Sequence, residues 1–191
     1  MPTTKRYDFN ELLSALQKDI RRGKIYPAMF WAVELETLSS NEFGNNDEAL
    51  WSRLRVIASE DISMANPALP VIIDVLEEQC RAFKDKGDKS YRLFLAHAIL
   101  ALCESSKSRI ANNLVILVYG ERKSMKTKPP IPDYALDMHT VGGAKKGRRK
   151  GTKKGMEHFL KEGAKLRNET QKFEDKYKKK AEEILLKHGE P

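Results

Sequence analysis

Leu114-Val115-Ile116-Leu117-Val118-Tyr119 is the stretch on which the fold class turns. Its β-branched run fits a buried strand as well as a helix, because a short apolar run has no decisive period. A strand needs a neighbour for its backbone hydrogen bonds, and no second strand signal occurs elsewhere in the chain. The run is therefore read as helix, which makes the fold class all-α.

Upstream, helical signals repeat. Ser105 or Ser106 is the expected N-cap of the helix that carries this run. Asp88 restarts a helix from Lys89 to about Glu104, whose Leu93 to Leu102 stretch is apolar on nearly every face and marks the centre of a core. Asn66-Pro67 stops one element and starts another, from about Pro67 to Lys86, ending at Gly87. Asn46 or Asp47 caps a helix with Leu50, Trp51, Leu54, Ile57 and Ala58 on one face, after a loop from Ser39 to Asn46. Pro27 suits the first turn of a helix carrying Met29, Phe30, Val33 and Leu35. From Asp8 to Gly23, Phe9, Leu12, Leu13, Leu16 and Ile20 recur at three- and four-residue spacing. The aromatics Trp31, Trp51, Phe30, Phe94 and Tyr91 lie at helical spacing among apolar neighbours, and so read as core rather than as a base-stacking surface.

Downstream, Lys128-Pro129-Pro130-Ile131-Pro132 ends regular structure. Asp133 to His139 reads as one short helical turn. Gly142 to Gly155 then holds five glycines, seven basic residues and no acid. Such a segment is expected to stay extended until a partner orders it. From Met156 to about Lys187 one long polar helix is expected, with sparse apolar positions at Phe159, Leu160, Leu166, Phe173, Tyr177, Ile184 and Leu185. The expected organisation is a multi-helix domain over 1–128, a Pro-containing and basic Gly/Lys-rich linker over 129–155, and a charged C-terminal helix over 156–191.

A net charge of +8 favours anionic partners, with nucleic acid first. The cations best suited to a phosphate backbone are Lys145, Lys146, Arg148, Arg149, Lys150, Lys153 and Lys154. Cys80 and Cys103 fall in apolar helical patterns with no zinc spacing, and read as buried thiols in a reducing, cytoplasmic setting. Met1 to Arg6 has no apolar stretch of signal-peptide type, and no run is long enough to span a bilayer, so no membrane association is expected.

Catalytic patterns are sparse, and no catalytic residue, metal or cofactor is assigned. A P-loop needs two glycines and a Lys-Ser/Thr pair, whereas Gly120 to Thr127 has Met125 at the second glycine and prolines where a helix should begin. Glu157-His158 lacks the second histidine of a zinc helix. Asp137, His139 and His158 form a possible local polar site, and carry the alternative reading of a metal-dependent enzyme acting on nucleotide or nucleic acid. The plainer reading is that Asp137 and His139 fix the chain after the prolines. Glu60 and Asp61 are adjacent acids that point about 100° apart on a helix, poor geometry for a shared site. One of them is expected to cap or salt-bridge neighbouring chain, with Arg55 or Lys107 as candidate partners.

The segment Arg55-Val56-Ile57-Ala58-Ser59-Glu60-Asp61-Ile62-Ser63-Met64-Ala65-Asn66-Pro67 resembles a signature of the C-terminal domain of RarA/MgsA-type AAA+ ATPases. Leu13 to Gly23 followed by Ala28, Phe30 and Trp31, and Ser106-Lys107-Ser108, agree in order and spacing. The similarity covers about residues 10 to 135, with Arg55, Ser59, Glu60, Asp61 and Lys107 as its motif residues. It implies an all-helical accessory domain that assembles into tetramers of a replication- and recombination-associated ATPase, here standalone without the ATPase module. The resulting expectation is a non-enzymatic assembly and nucleic-acid-associated module of replication or DNA repair. Expected partners are DNA in preference to RNA, copies of itself, and an ATPase. An RNA- or ribosome-associated role is the third reading.

Overall fold

Residues 7–38, 46–166 and 183–187 are described by the computed structural model, and all their regular structure is helical, with no strand among them. The chain divides into residues 1–125 and 126–191.

In the first unit, α1 (Phe9–Arg21) begins at Asp8, whose carboxylate accepts from the Asn10 and Glu11 amides, as an N-cap should. It buries Leu12, Leu13, Leu16 and Ile20 along one stripe. α2 (Ile25–Leu38) faces it with Leu35 and with Ala28 and Ala32, whose small side chains permit close approach. The Trp31 indole donates to Asp19 at 2.9 Å, fastening the two helices. The expected loop over 39–45 lies outside the described residues. α3 (Asn46–Ile57) buries Leu50, Trp51, Leu54 and Ile57. α4 (Leu69–Asp85) and α5 (Tyr91–Glu104) form a helical hairpin turned at Gly87, which has the left-handed φ of 71° that suits glycine. Leu69, Ile73, Leu76 and Cys80 meet Leu95, Ala98, Ile99, Leu102 and Cys103 in one apolar cluster. Each fully buried Leu or Ile contributes roughly 1.5–3 kcal/mol to folding.

Leu114 to Tyr119 is helical, within α6 (Ile110–Ser124). That helix starts later than the serines suggested. Ser105 instead closes α5, donating to the Ala101 carbonyl and accepting from Asn66. The Lys107 ammonium donates to the carbonyls of Leu102 (3.0 Å) and Cys103 (2.8 Å), covering the negative end of α5. Burial pushes its pKa below the ordinary lysine value.

Between α3 and α4 the chain makes a π-helical turn, Ala58–Ile62, and then a 3₁₀ turn, Ser63–Ala65. Ser63 sits at φ 48°, an uncommon conformation for a residue other than glycine. This turn carries Asp61 fully inside the protein. Arg21 donates to Asp61 from Nε (2.7 Å) and Nη2 (3.2 Å), and Gln17 Nε2 donates at 3.0 Å. Arg109 Nε lies 3.5 Å away. Gln17 also reaches Glu60 at 2.9 Å, and Arg109 Nη2 reaches Glu60 at 2.8 Å. The Ser108 amide donates to the Asp61 main-chain oxygen at 2.9 Å. The partners of the acid pair are thus Arg21 and Arg109, in place of Arg55 and Lys107. Arg55 instead pairs with Glu48, Asp74 and the buried Glu77, which Arg81 also contacts.

In the second unit, a 3₁₀ turn at Asp133–Ala135 is followed by α7 (Val141–Lys145), α8 (Lys153–His158) and a π-helical turn, Phe159–Gly163. The chain leaves helix at Ala164, so the described residues do not continue one helix from Met156. Residues 167–182, with Phe173 and Tyr177, lie outside the described set, and 183–187 are helical.

Arg21→Ala removes the closest donor to Asp61 and leaves a buried carboxylate with Gln17 and the more distant Arg109. The expected cost is about 3 kcal/mol, because stripping one partner from a buried charge is strongly destabilising. Urea unfolding followed by far-UV circular dichroism measures it. A loss under about 1 kcal/mol, the range of exposed ion pairs, would show that Arg21 is dispensable.

Candidate functional site

The Gly/Lys-rich segment differs from its expected extended form. Thr140 Oγ1 accepts from the Gly143 amide at 2.9 Å and donates to the Asp137 carbonyl at 3.0 Å. Thr152 Oγ1 accepts from the Gly155 amide at 3.1 Å and donates to the Arg149 carbonyl at 2.7 Å. The same Thr-x-x-Gly device thus starts both short helices. Its glycines are required by close approach. A Cβ on Gly143 would fall 1.7 Å from the Asp137 carbonyl oxygen, and one on Gly155 would fall 2.4 Å from that of Arg149. Met138 and Met156 are buried beside these turns and anchor them.

The seven cations separate by role. Arg148 is mostly covered and works inside the fold. Its Nη2 donates to Asp133 Oδ2 at 2.7 Å, and its Nη1 donates to Asp133 Oδ1 at 3.2 Å and to the Leu136 carbonyl at 2.8 Å. Lys146 pairs with the same Asp133 carboxylate. The hydrogen bonds from Arg148 and then Lys146 hold the Asp133 carboxyl well below the usual carboxylate range. Lys154 donates to the Lys146 carbonyl at 3.1 Å, and Lys153 lies 3.8 Å from Glu157. Lys145, Arg149, Lys150, Lys153 and Lys154 are all exposed.

Asp137, His139 and His158 do not converge. Asp137 Oδ1 accepts from the His139 amide at 3.0 Å, and the His139 ring packs edge-on against Phe159. The His158 Nε2 atom points instead to Asp133 Oδ2 at 3.6 Å. Among the described residues no three His, Cys, Asp or Glu side chains are grouped to hold a metal ion.

The first unit contributes a different feature. α6 buries none of its residues, and Leu114 to Tyr119 are each half or more exposed. An open groove of about 470 Å³, lined mainly by apolar surface, runs between this helix and the end of α3, with Val56, Ser59, Glu60, Ala111 and Val115 along it. Of the motif residues, Ser59 and Glu60 thus border a surface, while Asp61 and Lys107 hold the fold. Nothing in the sequence distinguished α6 from a core helix, because periodicity reports apolar content and not what covers it.

Cys80 and Cys103 are buried, and burial pushes both thiols up to about 11. At pH 8 only roughly one thiol in a thousand is then thiolate, the reactive form. Iodoacetamide labelling of the native protein at pH 8 is expected to be at least about a hundredfold slower than in urea. Equal rates would place a thiol at the surface.

No helix among the described residues is long and apolar enough to cross a membrane. The family model described as MgsA AAA+ ATPase C terminal matches residues 27–184. A curated relative, Replication-associated recombination protein A of Bacillus subtilis (strain 168), is 30% identical over 139 residues, covering 72% of this chain and 30% of that protein. The chain therefore spans under a third of that relative's length. The match runs across the buried Asp61 turn, α6 and the basic segment alike, and the chain belongs to the MgsA AAA+ ATPase C-terminal family.

Proposed function

We propose that this chain is an accessory assembly module that self-associates through α6 and carries a folded basic segment to nucleic acid. The observation that supports assembly is Leu114 to Tyr119. Successive helical residues step by 100°, so six consecutive apolar residues cover every side of the helix. Helices apolar all round are buried in their working state. One partner helix covers only one side, so more than one neighbouring copy is needed, in keeping with the tetramer that the family resemblance implies. Sedimentation at tens of micromolar should give a mass beyond twice the 21.8 kDa chain. A Leu114→Glu, Leu117→Glu variant should be monomeric. A monomeric wild type would overturn self-association and leave the surface for an ATPase partner.

Five exposed cations, Lys145, Arg149, Lys150, Lys153 and Lys154, support nucleic-acid contact. They sit on and beside the glycine turns of this segment, with no acid inside the run. Phosphate contacts of this kind position without reading sequence. The name of the curated relative, a replication-associated recombination protein, favours DNA. The chain then acts beside replication forks or in repair, in the cytoplasm, as a binding partner of an ATPase and without chemistry of its own. Affinity for oligonucleotides should be weakly sequence-dependent, with log K falling by roughly 0.7 to 0.9 per phosphate for each decade of salt. If four contacts form, raising salt from about 50 to 200 mM weakens binding by roughly two orders of magnitude. Changing the five to Ser should abolish binding and leave helicity intact in a fluorescence-anisotropy titration. Equal binding by both versions would move the anion site elsewhere.

A further inference from the structure

Among the described residues of the second unit, Lys146, Arg148 and His158 gather around the Asp133 carboxylate. Arg148 grips it with two nearly parallel hydrogen bonds, at 2.7 and 3.2 Å. Lys146 pairs with it from a second direction. His158 Nε2 stands 3.6 Å from it, and neither His158 ring nitrogen has a hydrogen-bond partner although both are out of contact with solvent. A buried imidazole with both nitrogens unsatisfied is costly, and an oxygen a few tenths of an ångström closer would relieve it. A planar guanidinium fork, an ammonium and an imidazole on one point make the donor set that proteins use for phosphate as readily as for carboxylate.

Two further features bear on whether the donors would stay in place without Asp133. Arg148 Nη1 is also held by main-chain carbonyls, of Leu136 at 2.8 Å and of Asp133 at 3.1 Å. Its side chain is 14% exposed and that of His158 is 12% exposed, so packing fixes both. The Asp133 carboxylate, in contrast, is 57% exposed and open to competition from solvent. An open cavity of about 500 Å³ lies beside it, with Lys154, His158 and Lys161 on its wall together with the acids Glu157 and Glu162.

We propose that Lys146, Arg148 and His158 form a phosphate-binding site that the chain's own Asp133 carboxylate fills, so that a backbone phosphate of nucleic acid competes with Asp133 for the same donors. The idea rests on the nucleic-acid reading above and adds regulation to it. In the closed form Asp133 neutralises Lys146 and Arg148 and leaves only the outer cations for a polyanion. When a phosphate displaces the carboxylate, the inner donors join the contact, and Asp133 swings to water as a free anion that repels the strand. Asp133 therefore sets a ceiling on affinity, and its neutralisation raises that ceiling.

The test uses the full chain and a labelled single-stranded oligonucleotide, read by fluorescence anisotropy at two salt concentrations. Asp133→Asn keeps the size of the side chain and removes its charge. It should bind about tenfold tighter at 50 mM salt, one added charge-assisted contact. Its salt slope should steepen by roughly 0.7 to 0.9 for each phosphate gained. Adding Lys146→Gln to Asp133→Asn should cancel most of the gain. A folded Asp133→Asn variant that binds no tighter than wild type overturns the proposal. Should that variant fail to fold, wild type still decides. The Arg148 Nε–H and His158 ring resonances must move as oligonucleotide is added, and resonances unmoved at saturation overturn the idea. The version with Lys145, Arg149, Lys150, Lys153 and Lys154 changed to Ser separates the two readings. If it binds as wild type does, the outer-cation reading fails while the gain from Asp133→Asn still judges the inner site. Polyglutamate of matched charge that displaces the oligonucleotide as well as an equal oligonucleotide does would overturn selectivity for phosphate.

Discussion

A carboxylate taken wholly out of water loses hydration that only close donors replace, and in the first unit that carboxylate is Asp61. Its donors come from segments distant in sequence. Gln17 and Arg21 lie on α1, forty or more residues before it, and Arg109 lies just before α6. Arg53 donates to Gln17 at 3.2 Å and so holds the amide in place. An apolar core tolerates small slides of one helix past another, since dispersion has no direction. The Asp61 cluster does not, because each donor must meet a lone pair at hydrogen-bond distance. The π-helical turn and the positive φ of Ser63 fit this demand, since together they bring the Asp61 carboxylate to the arginines and its carbonyl to Ser108. Backbone strain of this sort persists where surrounding contacts over-determine it.

The same cluster accounts for the way α6 is held. The segment leading into the helix is fixed, through the Ser108 amide on Asp61 and the Arg109 guanidinium on Glu60. The remainder of the helix buries no residue. A helix tethered at one end by polar bonds has its direction set by the fold while its apolar stretch, Leu114 to Tyr119, stays exposed. If α6 is the interface proposed above, positioning by a charged cluster suits it better than positioning by burial, because burial would consume the surface that an interface needs.

Much of the first unit was legible in the sequence because its signals are local. The Asp8 cap, the apolar stripe of α1, the buried face of α3 and the turn at Gly87 all follow from spacings within a few residues. The partners of Glu60 and Asp61 were not legible. Arg55 and Lys107 are closer in sequence or motif, but the geometry that favours Arg21 and Arg109 exists only once the helices have packed. Leu93 and Leu100 lie on the outer side of α5, although the run from Leu93 to Leu102 reads as all-round core. The Gly/Lys-rich segment escaped for another reason. Its order depends on hydroxyl caps at Thr140 and Thr152, close backbone approaches at Gly143 and Gly155, and two flanking methionines. A test for apolar content inside the run registers none of these. Two Thr-x-x-Gly repeats were the available signal.

That order changes how a basic segment meets a polyanion. A disordered run of lysines loses conformational freedom when it binds, and this offsets part of the electrostatic gain. Here the loss has already been incurred in folding, through caps and turns that need no ligand. In the proposed contact, the backbone that carries the cations is already placed, so the fit to successive phosphates would depend on geometry as well as on charge. Arg148 illustrates the division within one segment. By reaching the Leu136 carbonyl and Asp133 it holds the chain in the shape that lets Arg149 and Lys150 face outward. Replacing Arg148 by lysine would keep the charge and lose the fork that spans both partners, so the presentation of its neighbours rests on the planarity of one guanidinium rather than on the sum of charges.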